Sequence, residues 1–82
     1  MQAIFVQFKC RPGAAYGVAD ALVERVEEIS EIYSTSGQYD LLAKFYLEAG
    51  RDIGHFVTER LQTVDGVMDT FTTVAFKAFG RG

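Results

Sequence analysis

Along this chain the hydrophobic period switches between that of a strand and that of a helix, in the order strand, helix, strand, strand, helix, strand. Over residues 2–9, Ile4, Val6 and Phe8 share one face and Ala3, Phe5, Gln7 and Lys9 the other. Arg11-Pro12-Gly13 stops this strand, because proline lacks an N–H and glycine tolerates positive φ. Over residues 14–28, Ala15, Val18, Ala19, Leu22, Val26 and Ile29 fall at helical spacing, with Asp20, Glu24, Glu27 and Glu28 off the stripe. Residues 29–35 read as a second strand, and Ser36-Gly37-Gln38 as a turn in which Gly37 holds a positive φ. Residues 41–48 form a third strand, with Leu41, Ala43, Phe45 and Leu47 opposing Leu42, Lys44, Tyr46 and Glu48. The short connection makes the second and third strands a hairpin. Asp52 suits an N-cap, and Ile53, Phe56, Val57, Leu61 and Val64 stripe a second helix. Asp65-Gly66 ends that helix, and a last strand runs over residues 67–79. With 82 residues, the expectation is one domain of the α+β class. Its order matches the ferredoxin-like βαββαβ unit, a four-stranded antiparallel sheet with two helices on one face.

A sheet covered on one side should be polar on the other. Here both faces of the first and last strands are apolar: Phe8 opposes Phe5 in the first, and Val74 and Phe76 oppose Phe71, Ala75 and Phe79 in the last. Two helices cover one face only. A domain this short buries roughly 60–65% of its unfolded surface, and its single cysteine excludes an internal disulfide. Self-association through the open face, centred on Phe5, Phe71, Ala75 and Phe79, answers both problems.

The composition excludes several chemistries. A net charge of -3 argues against a nucleic-acid surface. No apolar run approaches the roughly 18–20 residues that span a bilayer. No signal-peptide pattern opens the chain, so a cytoplasmic location is expected. There is no Trp and no Asn, and one His. His55 lies off its helix stripe without a nucleophile, Cys10 lacks a His partner or resolving Cys, and no phosphate loop or metal cluster occurs. A heavy-metal-binding version of the fold lacks its second Cys and an acylphosphatase-like version its Asn, while an RNA-recognition version would have only Lys9, Lys44 and Lys77 to flank its strand aromatics. No cofactor is expected, and no catalytic residue.

Two segments remain, Ser34-Thr35-Ser36-Gly37-Gln38-Tyr39-Asp40 and Gly66-Val67-Met68-Asp69-Thr70-Phe71-Thr72. Hydroxyl and N–H donors with a carboxylate can hold a zwitterion, the donors taking the ligand carboxylate and Asp40 the ammonium. A hairpin turn in which Asp40 bonds local backbone accounts for the same residues without a ligand.

Pro12-Gly13 before the first helix, Ser36-Gly37-Gln38-Tyr39-Asp40-Leu41 at the hairpin, and Gly66-Val67 leading to Thr70-Phe71-Thr72 together resemble the effector-binding (RAM) domain of the Lrp/AsnC transcriptional regulators. The resemblance covers nearly the whole chain. It implies dimers joined through their sheets in the manner of dimeric αβ-barrels, rings of dimers, and a free amino acid bound between dimers. Gly37, Tyr39, Asp40, Thr70 and Thr72 then border the pocket. The family's helix-turn-helix normally precedes this domain, whereas here Met1 is followed at once by the first strand. A stand-alone RAM domain is therefore expected, with no direct DNA contact, acting in regulation alone or with full-length Lrp/AsnC regulators. Two alternatives are a small αβ-barrel enzyme such as a cofactor-independent monooxygenase, and a purely structural assembly module.

Overall fold

The computed structural model describes residues 1–80. Its elements are β1 (Gln2–Cys10), α1 (Ala15–Arg25), β2 (Ile29–Ser34), β3 (Leu41–Leu47), α2 (Ile53–Phe56), a π-helical turn (Val57–Leu61) continuing α2, and β4 (Val67–Val74). The strands form one antiparallel sheet in the order β2-β3-β1-β4. Both central strands bury alternate residues, Ile4, Val6, Phe8 and Cys10 from β1 and Leu41, Ala43, Phe45 and Leu47 from β3. Val18, Leu22 and Val26 from the α1 side and Phe56, Val57, Leu61 and Val64 from the α2 side complete the same cluster. Both helices therefore cover one face of the sheet. Phe45 meets Phe56 edge-on across that layer, ring centroids 5.6 Å apart.

α1 ends at Arg25, short of the expected Glu28. Val26 turns extended while its N–H still closes on Leu22 O at 3.0 Å, so it stays buried without being helical. This exit frees Glu28 to bond β3, the loop before α2 and the π turn. Its carbonyl accepts the Tyr46 N–H at 3.0 Å, and its carboxylate meets Arg51 Nη1 at 2.6 Å and Arg60 Nη1 at 3.8 Å. Arg60 Nη2 also donates to Arg25 O at 3.2 Å, filling an acceptor at the end of α1.

Asp52 caps α2 as expected, Oδ1 accepting the His55 N–H at 3.0 Å. The helix then widens, because the Gln62 N–H reaches back to Val57 O at 2.9 Å. Gly66 follows at φ +99°, and a Cβ there would stand 2.8 Å from Val18 Cγ2 and 3.1 Å from Ala14 Cβ. That close approach to α1 sets the path into β4.

β4 ends at Val74, not at residue 79. Ile4 pairs with Val74 and β1 begins at Gln2, so the sheet soon has no strand for the following residues to join. Ala75 is still held, its N–H on Ala3 O at 3.1 Å and its carbonyl accepting Gln2 Nε2 at 2.7 Å. Phe76 and Phe79 lie beyond the ladder and are almost fully exposed. Phe79 thus falls outside the strand face on which the alternation placed it.

Burial raises the Glu28 carboxyl, but the Arg51 hydrogen bond and the charges of Arg51 and Arg60 outweigh it and hold the group below its ordinary value. A depressed folded-state pKa contributes stability above the unfolded value, lost as pH falls through the folded one. Glu28→Gln should therefore be less stable than the wild type at neutral pH. The difference should shrink below about pH 4 in urea titrations run across pH.

Candidate functional site

The hairpin between β2 and β3 is closed by Thr35 N–H on Asp40 O at 2.9 Å and by Thr35 Oγ1 donating to Tyr39 O at 3.0 Å. Gly37 sits at φ +104°, the left-handed region its turn position demanded. Asp40 then fastens the hairpin to β1. Its N–H donates to Phe8 O at 2.8 Å and its Oδ2 accepts the Cys10 N–H at 2.7 Å. The β1–β3 register ends at Phe8 and Leu41, and β1 shifts register against β4 between Lys9 and Cys10. The Asp40 carboxylate takes the next β1 donor where a ladder carbonyl would otherwise be needed. Burial first, and this carboxylate second, push the Cys10 thiol above its ordinary value, so it stays protonated and unreactive.

Beside the hairpin, on the sheet face away from the helices, lies a shallow hollow of about 360 Å³ lined by Gln7, Ser36, Gln38, Tyr39 and Phe71. The Tyr39 and Phe71 rings stand 6.2 Å apart at 35°. Gln7 pairs with Phe71, and Phe5 with Thr73, which fixes these residues on one face. Phe71 is 54% exposed and Tyr46 39% exposed there, so the face is open and substantially apolar. A second hollow of about 480 Å³ lies at the other end of that sheet, between Phe5, Lys44 and Tyr46 and the chain after β4.

The five residues picked from the sequence do not all meet within one chain. Tyr39 lines the hollow, with Gly37 in the turn above it and Asp40 turned to Cys10. Thr70 pairs with Phe8 and Thr72 with Val6, so both threonines project to the helix side, half-buried. Thr70 Oγ1 accepts from Gln62 Nε2 at 2.8 Å, and the Thr70 N–H donates to Asp69 Oδ1 at 2.9 Å. Gln7 and Gln62 were not singled out from sequence. Gln7 had a signal, a polar residue between Phe5 and Lys9 on an apolar strand face; Gln62, on the polar side of its helix, had none.

His55 is an exposed helix residue whose Nε2 lies 2.7 Å from Glu59 Oε2. Among the described residues no group of His, Cys, Asp and Glu has the arrangement of a metal site, and no helix is long and apolar enough to cross a membrane.

Residues 3–81 match the family model for the Lrp/AsnC ligand binding domain. The HTH-type transcriptional regulator FL11 of Pyrococcus furiosus is 30% identical over 73 residues, covering 89% of this chain and 47% of its own length. The chain thus spans about half the length of that curated relative. The crystal structure of FFRP-DM1 superposes with a TM-score of 0.85 at 26% identity, over 93% of this chain and 100% of that one. The transcriptional regulator NMB0573 of Neisseria meningitidis, solved as its complex with L-Met, has the same fold. Its TM-score is 0.82 at 21% identity, over 98% of this chain and 53% of that one. The family is regulatory and non-enzymatic, which removes the small-enzyme alternative.

Proposed function

The chain belongs to the Lrp/AsnC ligand-binding domain family, and from that premise we propose that it senses a free amino acid in transcriptional or metabolic regulation. The carrying observation is the hairpin corner: Gly37 turns the chain at φ +104°, and Asp40, two residues after the turn's end, is fastened to β1 through Phe8 O and the Cys10 N–H. The L-Met complex of NMB0573 supplies the ligand class. Copies join through the apolar open face, dimers associate further into a ring, and each site lies between dimers. The wider reading is a cytoplasmic domain with no direct contact to DNA, acting by itself or with full-length Lrp/AsnC regulators.

Strand spacing favours a shared site. Asp40 is bonded to Phe8 on one side of β1 and Thr70 pairs with Phe8 on the other. Two strand spacings separate them by about 10 Å, wider than the gap between ammonium and carboxylate on a single α-carbon. A site using Asp40 for the ammonium and Thr70 and Thr72 for the carboxylate takes these from different copies.

Thermal melts with each common L-amino acid at millimolar concentration test this. A ligand at a hundredfold excess over its Kd stabilises by about 2.7 kcal/mol, a shift of several degrees for a domain of this size. Asp40→Ala is a poor control, since it also strips the acceptor from the Cys10 N–H. Asp40→Asn keeps an acceptor there and removes the charge, so it should fold yet lose most of the ligand shift. If no amino acid moves the wild-type melt, the sensing role falls and a structural assembly module remains.

A further inference from the structure

We propose that Gln62 is the positioning residue that makes Thr70 a hydrogen-bond donor toward the ligand, restricting the site to amino acids with a free α-carboxylate. The inference rests on the reading that Thr70 borders the ligand, and it deepens that reading by assigning what Thr70 recognises.

Thr70 owns two donors, its N–H and its O–H, and the Asp69 carboxylate occupies the N–H at 2.9 Å. Gln62 Nε2 occupies a lone pair of Oγ1 at 2.8 Å. The hydroxyl hydrogen is the donor left to offer. A hydroxyl that already accepts one hydrogen bond is polarised into a stronger donor and a weaker second acceptor. Its best partner is an anionic oxygen, and a ligand amide or ammonium, which brings hydrogens of its own, fits it poorly.

The helix geometry explains why Gln62 reaches β4. Its N–H closes on Val57, five residues back, at 2.9 Å. A π turn holds one residue more than an α turn, so Gln62 stands about 100° round the axis from where an unbroken α-helix would carry it. The same turn keeps Val57 and Leu61 in the core. Core packing on the inner side and Gln62 on the outer side are thus joined in one irregular turn.

The test compares binding of each common L-amino acid with that of its primary amide, for the wild type and for two variants of this exposed position. The wild type should prefer the free acid. In Gln62→Glu the new carboxylate accepts the Thr70 O–H and repels a ligand carboxylate, so the acid-over-amide preference should fall at least about tenfold. Gln62→Ala should lower it less. Both ligand-free melts should match the wild type, because a purely structural role would shift melting and leave the preference unmoved. Wild-type binding with an unchanged preference in Gln62→Glu overturns this inference alone. Absence of wild-type binding to any amino acid overturns the sensing role, and this assignment with it.

Discussion

Phe71→Asp is expected to convert the assembly to monomers. Phe71 stands on the open face, 54% exposed in one chain, with Tyr39 as its aromatic neighbour and Gln7 paired beside it. An obligate interface should bury on the order of 2,000 Å² in total, and a carboxylate within it would be desolvated without a partner. Phe5 is the weaker position for this substitution. The Lys44 Nζ lies 5.7 Å from the Phe5 ring centroid and would partly neutralise an aspartate there. Light scattering at micromolar concentration should show the wild type as a dimer or larger, and Phe71→Asp as a monomer with a lower melting temperature. A stable wild-type monomer, or an unchanged mass for the variant, contradicts the open face as the dimer surface.

Phe45→Ala is expected to cost about 3–5 kcal/mol. Phe45 is fully buried at the centre of β3, flanked by Ile4 and Ile29 in the sheet and met edge-on by Phe56 from α2. It joins both halves of the fold, so little can collapse into the space it leaves. A domain near this size holds only about 3–5 kcal/mol from its own core. Urea titration should therefore show a variant without a folded baseline unless association rescues it. A melting temperature within a few degrees of the wild type would mean that the sheet-to-α2 packing described here is not the core.

Legibility from sequence followed how local each determinant is. β1 and β3 were readable because each buries alternate residues against a single helical layer, and a period of two has one meaning there. The end of α1 was not. Val26 and Ile29 extend the helical spacing, yet Val26 is buried after the helix has ended and Ile29 already belongs to β2. The end of β4 depends on where β1 begins, a fact some seventy residues away in the chain, visible in the Gln2 bond to Ala75. At the candidate site, Gly37 was legible through its turn, since a positive φ is a local demand. Asp40 was legible as a residue type but not as a contact: its carboxylate bonds the Cys10 N–H, not hairpin backbone, across a separation of 30 residues. Gln62 was illegible, because only the π turn brings it to Thr70.

If a free amino acid is held jointly by the hairpin of one copy and the β4 threonines of another, calorimetric titration of a mixed assembly will reveal it. Asp40→Asn and a Thr70→Val/Thr72→Val double variant are each prepared, then unfolded and refolded together, and titrated with the amino acid that gives the largest wild-type melting shift. Each variant alone should bind weakly or not at all, and the mixture should regain a fraction of full-affinity sites built from one intact hairpin and one intact threonine pair. A mixture as silent as its two components, beside a wild type that binds, would contradict a site shared between copies.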